Sequence, residues 1–239
     1  MSKIGLIGGT GPESTVIYYR DIVYGVQAKT GKAFFPNMAI ESLSVFDVIG
    51  YCERQDYKGL VSYLLAGIQN LEGAGVQCAA LTGITPHIVF DELEKMSPIP
   101  LVSMLDTARE YAAKSGYARV GLLGTSPTMN GSFFQRAFEK RNIEVITPSN
   151  QEKDYIGSKI ETELEYGKVN PNTQKNFRKI AERMISEDKI QAVVLGCTEL
   201  PLIFKSVKLS VPYIDVMRVH IDALIDIAAK NVVLSTDLI

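Results

Sequence analysis

The sequence is short of the residues that build metal centres and disulfide frameworks, and it is nearly balanced in charge. Its 239 residues include only two histidines, His87 and His220, which excludes a His-rich metal site on supply alone. Its three cysteines, Cys52, Cys78 and Cys197, are odd in number and far apart. They suggest neither disulfides nor zinc, and the cytoplasm is the expected compartment. A net charge of −2 leaves no basic footprint, so nucleic acid is excluded as a partner. No apolar run approaches membrane-spanning length, so no membrane partner is expected either. Met1-Ser2-Lys3 followed by Ile4-Gly5-Leu6-Ile7-Gly8-Gly9 reads as a first strand and not as a signal peptide. What is present is ordinary for a globular chain: 46% hydrophobic and 22% charged residues, ample for a core.

The pattern alternates strand and helix. Lys3–Ile7 is a short apolar strand, and Pro12 after Gly8-Gly9-Thr10-Gly11 suits the first turn of a helix through Val16–Tyr19. Gly9 and Gly11 supply only two glycines of a dinucleotide fingerprint, with Ser14 at the third, so no nucleotide cofactor is expected. Lys29-Thr30-Gly31-Lys32 reads as a solvated loop. Further strands are expected at 37–43, 76–81, 118–124, 144–147, 191–195 and 211–215, and a short strand or crossover at 98–102. Helices are expected around Leu60–Leu71, Met104–Ala113, Phe133–Glu139, Phe177–Ile185 and Ile221–Ala228. The polar stretch 149–173 reads as loop with a short helix near Ile160–Leu164. This alternation predicts an α/β protein with parallel sheets flanked by helices.

The two halves repeat each other. Ile4-Gly5-Leu6-Ile7-Gly8-Gly9-Thr10 matches Val120-Gly121-Leu122-Leu123-Gly124-Thr125, and Ala79–Thr85 matches Val193–Glu199, both at an offset of about 115 residues. That is a duplicated domain. The expected division is 1–101 plus 213–239 for the first domain and 102–212 for the second. A pseudo-twofold would bring the turns at Gly83 and Cys197 to opposite sides of a cleft holding the active site, because ligands in such sheets bind at the carboxyl ends of the strands.

The most informative stretch is Val193–Ile203. It reads as a buried strand, then a turn carrying a thiol, a hydroxyl and a carboxylate at Cys197, Thr198 and Glu199. Gly196 is expected to let the chain turn sharply. The following helix N–H groups are expected to bind an anion and to lower the thiol's pKa. Thr10, Thr125, Ser126 and Thr128 sit at other strand ends, where a hydroxyl can donate to a carboxylate.

Together these residues resemble the cofactor-independent aspartate/glutamate racemases, within the wider group holding hydantoin racemases, maleate isomerases and arylmalonate decarboxylases. Gly8–Ser14 resembles the opening loop, Thr85-Pro86-His87 the tail of the first catalytic motif, and Val193–Ile203 the second catalytic motif. Asp215 and His220 resemble the C-terminal Asp and His. The resemblance implies a cytoplasmic homodimer that binds a small carboxylate or amino acid and needs no cofactor. It implies removal and return of an α-proton, with Cys197 as acid/base. Thr10, Gly83, Ile84, Thr85, Thr125, Ser126, Thr128, Thr198 and Glu199 are its expected substrate-binding residues, with Thr198 and Glu199 on the substrate's carboxylate.

The sequence departs from that pattern at the first thiol, where Gly83 stands, followed by Ile84 in place of Asn. Cys78 lies within a strand, expected to point into the sheet. Thr82 and Thr85 are the nearest hydroxyls, and Thr85 is the expected replacement acid/base. Ser44-Val45-Phe46-Asp47 replaces the Pro-Asp-Arg stretch of aspartate racemases, leaving Arg54 as the nearest cation. His87 is expected to hold the Gly83 turn by a hydrogen bond. Three readings follow: an aspartate or glutamate racemase, a one-base lyase resembling arylmalonate decarboxylase, and a binding protein that kept the site and lost turnover.

Overall fold

The computed structural model describes residues 3–234. The chain divides into two compact units, one of residues up to Met104 and from His220, the other Leu105–Val219. Among the described residues no helix is long and apolar enough to cross a membrane.

The first unit runs β1 (Ile4–Gly8), α1 (Pro12–Thr30), β2 (Met38–Ser42), α2 (Val45–Glu53), α3 (Tyr57–Gly73), β3 (Cys78–Leu81), a 3-10 turn (Thr85–Val89), α4 (Phe90–Met96) and β4 (Leu101–Val102). Its strands form a parallel sheet in the order β2-β1-β3-β4. β1 is buried along its whole length, as an inner parallel strand covered on both faces must be. Gly9 follows it with φ +75, and a Cβ there would lie 2.1 Å from the Leu43 carbonyl oxygen, so only glycine fits the turn. Leu60, Leu64, Ile68 and Leu71 of α3 pack with Ile7, Ala79 and Leu81 in one core cluster. Each of the leucine and isoleucine side chains contributes roughly 1.5–3 kcal/mol by leaving water.

The second unit follows α5 (Met104–Lys114) with β5 (Arg119–Gly124), α6 (Ser126–Asn130), α7 (Phe133–Glu139), β6 (Glu144–Ile146), α8 (Asn150–Thr162), a 3-10 turn (Leu164–Tyr166), α9 (Pro171–Ser186), β7 (Ala192–Gly196), α10 (Leu200–Phe204) and β8 (Tyr213–Asp215). The final helix α11 (Val216–Leu234) returns to the first unit. The second sheet is also parallel, in the order β6-β5-β7-β8. Its order repeats that of the first sheet strand for strand, and the switch point falls between β1 and β3 in one unit and β5 and β7 in the other.

All seven expected strands are present, and the stretch expected as strand or crossover holds the short strand β4. The unit boundaries differ from those expected. β4 pairs with β3, which carries the first unit past 101 to Met104, and β8 pairs with β7, which keeps 213–215 in the second unit. The stretch expected to be largely loop from 149 contains the 13-residue helix α8. Its start was written in the sequence as Ser149-x-x-Glu152: the Ser149 side chain accepts from Glu152 N–H while the Glu152 side chain accepts from Ser149 N–H. α2 and α4 were not anticipated; α2 opens on Ser44, whose hydroxyl accepts from Asp47 N–H at 3.3 Å.

Candidate active site

In the second unit the chain leaves β7 at Gly196, and Cys197 follows at once. Gly196 is required by space and not by a left-handed turn. A Cβ there would meet Leu122 Cδ1 at 2.7 Å and the Leu123 carbonyl oxygen at 2.9 Å. Cys197 is 5% exposed and belongs to the same apolar cluster as Leu123, Leu195, Leu200 and Ile203. Its thiol donates to Glu199 Oε2 at 2.9 Å, and Thr198 Oγ1 donates to the same carboxyl group at 2.7 Å.

The expected lowering of the thiol's pKa is overturned. Burial pushes the Cys197 thiol well up, the adjacent Glu199 carboxylate pushes it further, and Glu165 adds to the rise; a backbone hydrogen bond at Glu199 opposes them. α10 has only five residues, too short to offset burial beside a carboxylate. The resting form is therefore the thiol. Thr198 and Glu199, expected on the substrate's carboxylate, are paired with each other. Glu199 is an acceptor, repelling another carboxylate and suiting an ammonium, and the Thr198 donor is engaged by Glu199.

Glu165, in the turn after α8, was not singled out in the sequence. Its pKa is raised by burial, by Glu199 and by Glu161. It sits in a polar stretch that carries no local motif, so only the fold relates it to Glu199. At the end of β5, Thr125 caps α6 and its hydroxyl lies 2.9 Å from that of Thr128, which is buried. Ser126 lies against α8, where the Oγ would be 2.1 Å from a Cβ at Gly157. The structure thus gathers Thr125, Ser126 and Thr128 after β5, and Cys197, Thr198 and Glu199 after the adjacent β7.

In the first unit the matching positions follow β1 and β3. Gly83, where the resemblance expects a thiol, has no room for a side chain as the chain stands. A Cβ there would lie 2.7 Å from Thr10 Oγ1 and 2.8 Å from the Thr10 carbonyl oxygen. Thr10 Oγ1 is itself buried and has no hydrogen-bond partner. Thr82 is fully buried; its hydroxyl donates to the Ile7 carbonyl at 3.2 Å and lies 3.2 Å from Thr15 Oγ1, so it is structural. Cys78 opens β3 at the end away from Gly83, and burial pushes its thiol up. Ile84 is buried and accepts from His87 N–H at 2.9 Å, while Thr85 is half-buried at the start of the 3-10 turn.

Both histidines are fixed, neutral props. His87 Nδ1 lies 3.0 Å from the Gly83 carbonyl oxygen and its Nε2 accepts from Met104 N–H at 3.2 Å, so Nδ1 carries the proton. The expected hold on the Gly83 turn is present. His220 Nδ1 takes the Tyr18 hydroxyl at 2.7 Å and Nε2 reaches the Val102 carbonyl at 3.0 Å. Burial pushes His87 down to about 4 and His220 down to about 3. Asp215 accepts from Arg218 N–H at 3.0 Å and caps α11. Arg54 lies over the Tyr51 ring, 5.3 Å from its centre.

Two repeated parallel α/β units, with a buried thiol–carboxylate pair at a strand end of the second, define a two-unit α/β protein whose polar groups gather at the carboxyl ends of its inner strands. The chain belongs to the Asp/Glu/Hydantoin racemase family, whose profile matches residues 7–224. Among curated proteins it is similar to the broad specificity amino-acid racemase RacX of Bacillus subtilis (strain 168), 25% identical over 89% of this chain and 92% of that protein. Among solved structures it is similar to an aspartate racemase homologue from Pyrococcus horikoshii OT3, 34% identical with a TM-score of 0.85, covering 96% of this chain and 100% of the other. The fold is also that of the Picrophilus torridus aspartate racemase, 24% identical with a TM-score of 0.70 over 95% of this chain and 94% of that one.

Proposed function

We propose that the chain is an amino-acid racemase for aspartate or glutamate that exchanges the α-proton through Cys197, with Glu199 as the thiol's own proton acceptor and without a cofactor. The observation that carries this reading is the hydrogen bond from the Cys197 thiol to Glu199 Oε2, 2.9 Å, in a buried setting at the end of β7. An α-proton is weakly acidic, so its removal needs a strong base in a preorganised pocket. Glu199 takes the thiol proton, and the thiolate then takes the α-proton, leaving an enediolate. Return of a proton from the Cys197 thiol restores the starting enantiomer; inversion needs the enediolate to be protonated on its other face, by a solvent water whose hydroxide then takes the proton held by Glu199. The substrate's ammonium group offsets the charge of the thiolate and the carboxylate while both are ionised. Thr125, Ser126 and Thr128, after the adjacent strand of the same unit, complete the reading as hydroxyl groups for the substrate's carboxylates, in a cytoplasmic homodimer.

The test is solvent exchange. Each enantiomer of aspartate and glutamate is incubated in D2O and followed by NMR and chiral chromatography. Deuterium at the α-carbon with inversion supports the racemase, and its complete absence with all four substrates overturns it. A second reading, a one-base lyase acting on a malonate-like diacid, draws on a specific observation: no side chain stands at Gly83, and Thr10 fills the space. Carbon dioxide release from a substituted malonate, without exchange on any amino acid, selects that reading.

A further inference from the structure

Five apolar side chains of the first unit form an exposed strip beside β2. Val16, Tyr19 and Tyr24 of α1, Phe35 just before β2 and Ile40 in its middle are 41–61% exposed. At one end the rings of Tyr24 and Phe35 meet edge to face, 5.8 Å between centres. At the other, a Cβ on Gly8 would meet Thr15 Cγ2 and Ile40 Cγ2 together, at 2.5 and 3.1 Å, which sets Ile40 on the α1 face next to Val16. Single exposed apolar residues are ordinary, but a contiguous strip marks an interaction surface. The strip borders an open sheet edge. β2 ends the first sheet, and β1 is its only partner strand among the described residues. Ile4 N–H donates to the Asn37 carbonyl and Leu43 N–H to the Gly8 carbonyl, so the odd-numbered residues turn their backbone groups toward β1. Met38, Ile40 and Ser42 therefore turn theirs outward. Free edges are commonly blunted with Lys, Pro or a bulge. β2 reads Met-Ala-Ile-Glu-Ser and keeps an unbroken register with β1, so it has none of these. Its one charge, Glu41, is held on the α3 face, where Asn70 donates to Oε1 at 2.9 Å.

We propose that this edge is the seam of a homodimer, in which β2 pairs antiparallel with β2 of a second copy about a two-fold axis at Ile40. This rests on the homodimer proposed above and assigns its surface. In that register Ile40 faces Ile40 and Met38 faces Ser42, so every outward backbone group of one copy meets one of the other. Glu41 then stands opposite Ala39, and no like charges oppose each other across the seam. The axis is perpendicular to the sheet, so α1 of both copies lies on the same face, and Val16 and Tyr19 flank the paired isoleucines. The α1 strip is what selects a second copy as the occupant. An added peptide strand would cover the edge and leave α1 in water, whereas a second unit covers both. Half-exposed side chains of this size offer about 100 Å² each, so the strip and the strand edge together supply on the order of 600 Å² per copy, the lower bound for a specific dimer.

Sedimentation velocity over a dilution series gives the dimer Kd of the parent, Ile40→Lys, Phe35→Asp and Tyr111→Lys, with circular dichroism confirming that each is folded. Ile40→Lys and Phe35→Asp are expected to weaken the dimer by about tenfold or more. Tyr111→Lys, at an exposed apolar residue of α5 in the second unit, is expected to leave it unchanged. A second measurement uses only the parent chain: amide hydrogen exchange above and below the dimer Kd. The outward amides of Met38, Ile40 and Ser42 should exchange slowly in the dimer and fast after dilution, while those of Ala39 and Glu41, turned to β1, stay slow in both. A dimer whose Kd is the same in both edge variants, or outward amides that exchange fast at every concentration in a dimeric parent, overturns the seam and leaves the homodimer standing. A parent that is monomeric at every concentration overturns both. The α-deuteration test reads the racemase reading separately, so neither result can be mistaken for its failure.

Discussion

Gly83 and Thr10 share one space: a Cβ on residue 83 would lie 2.7 Å from the Thr10 hydroxyl and 2.8 Å from the Thr10 carbonyl. The glycine at the expected first catalytic position is thus half of a packed pair. Restoring a thiol by Gly83→Cys therefore requires the Thr10 backbone to move. We expect this variant to lose about 1–3 kcal/mol of stability by overpacking and to gain no activity. Combining it with Thr10→Gly removes the side-chain clash but not the carbonyl contact, so stability returns only in part. Urea unfolding of the single and double variants checks both statements, and a Gly83→Cys protein as stable as its parent would contradict them.

Replacing Cys197 by Ser removes the only thiol at the second strand end. Proton exchange is expected to fall about 10²–10⁴-fold, the usual worth of a positioned acid/base. The fold should survive, since serine is smaller and keeps a donor for Glu199. Far-ultraviolet circular dichroism and the deuterium exchange rate are read on the same sample.

Glu199→Gln removes the charge that adds to the effect of burial on the Cys197 thiol. The thiol's pKa is expected to fall, although burial still holds it above the ordinary value. Exchange activity is expected to fall as well, because the amide cannot accept the thiol proton. The pH dependence of iodoacetamide alkylation at Cys197 reports the first effect. An unchanged or raised alkylation pKa would sink the account of the pair.

His87 and His220 make the protein acid-sensitive. Burial holds their folded pKa values down at about 4 and about 3, against about 6.5 for the unfolded chain. Below about pH 6.5 the unfolded state binds protons that the folded state does not. Their contribution is complete above that value and is lost as the pH falls toward 4 and then 3, by several kcal/mol in all. Urea midpoints measured from about pH 7 down to about pH 4.5 should drop steadily. Both histidines lie in the first unit, so the loss should begin there, and hydrogen exchange along the chain locates it.

Glu152 does two jobs in the second unit. It completes the cap at Ser149, and it receives Arg183 of α9 in a two-pronged pair at 2.8 and 2.7 Å. Glu152→Ala is expected to cost about 2 kcal/mol, most of it from the cap, since the partly exposed ion pair is screened by solvent. Arg183→Met should cost less, and chemical denaturation separates the two.

Much of this protein was legible in one dimension. Short apolar runs ending in Gly identified β1, β5 and β7, because an inner parallel strand needs unbroken apolar sequence to be buried on both faces. The spacing of Leu60, Leu64, Ile68 and Leu71 identified α3, and two matches at a common offset identified the duplication. Only the end of α8 was anticipated although its capping box was in plain view, since a polar helix has a weak periodic signal. The strands also fix which residues emerge at their carboxyl ends, so Cys197, Glu199 and Thr10 could be named from their order in the chain. What those residues do could not. Whether a thiol is raised or lowered depends on how deeply it is buried and on which carboxylate turns toward it, and Cys197 ended up against both an apolar cluster and Glu199. Whether Gly83 is a vacancy or a fitted part depends on what comes to rest beside it, and Thr10 lies 73 positions earlier in the chain. Packing and solvation are set by neighbours distant in sequence, so only the tertiary structure decided them.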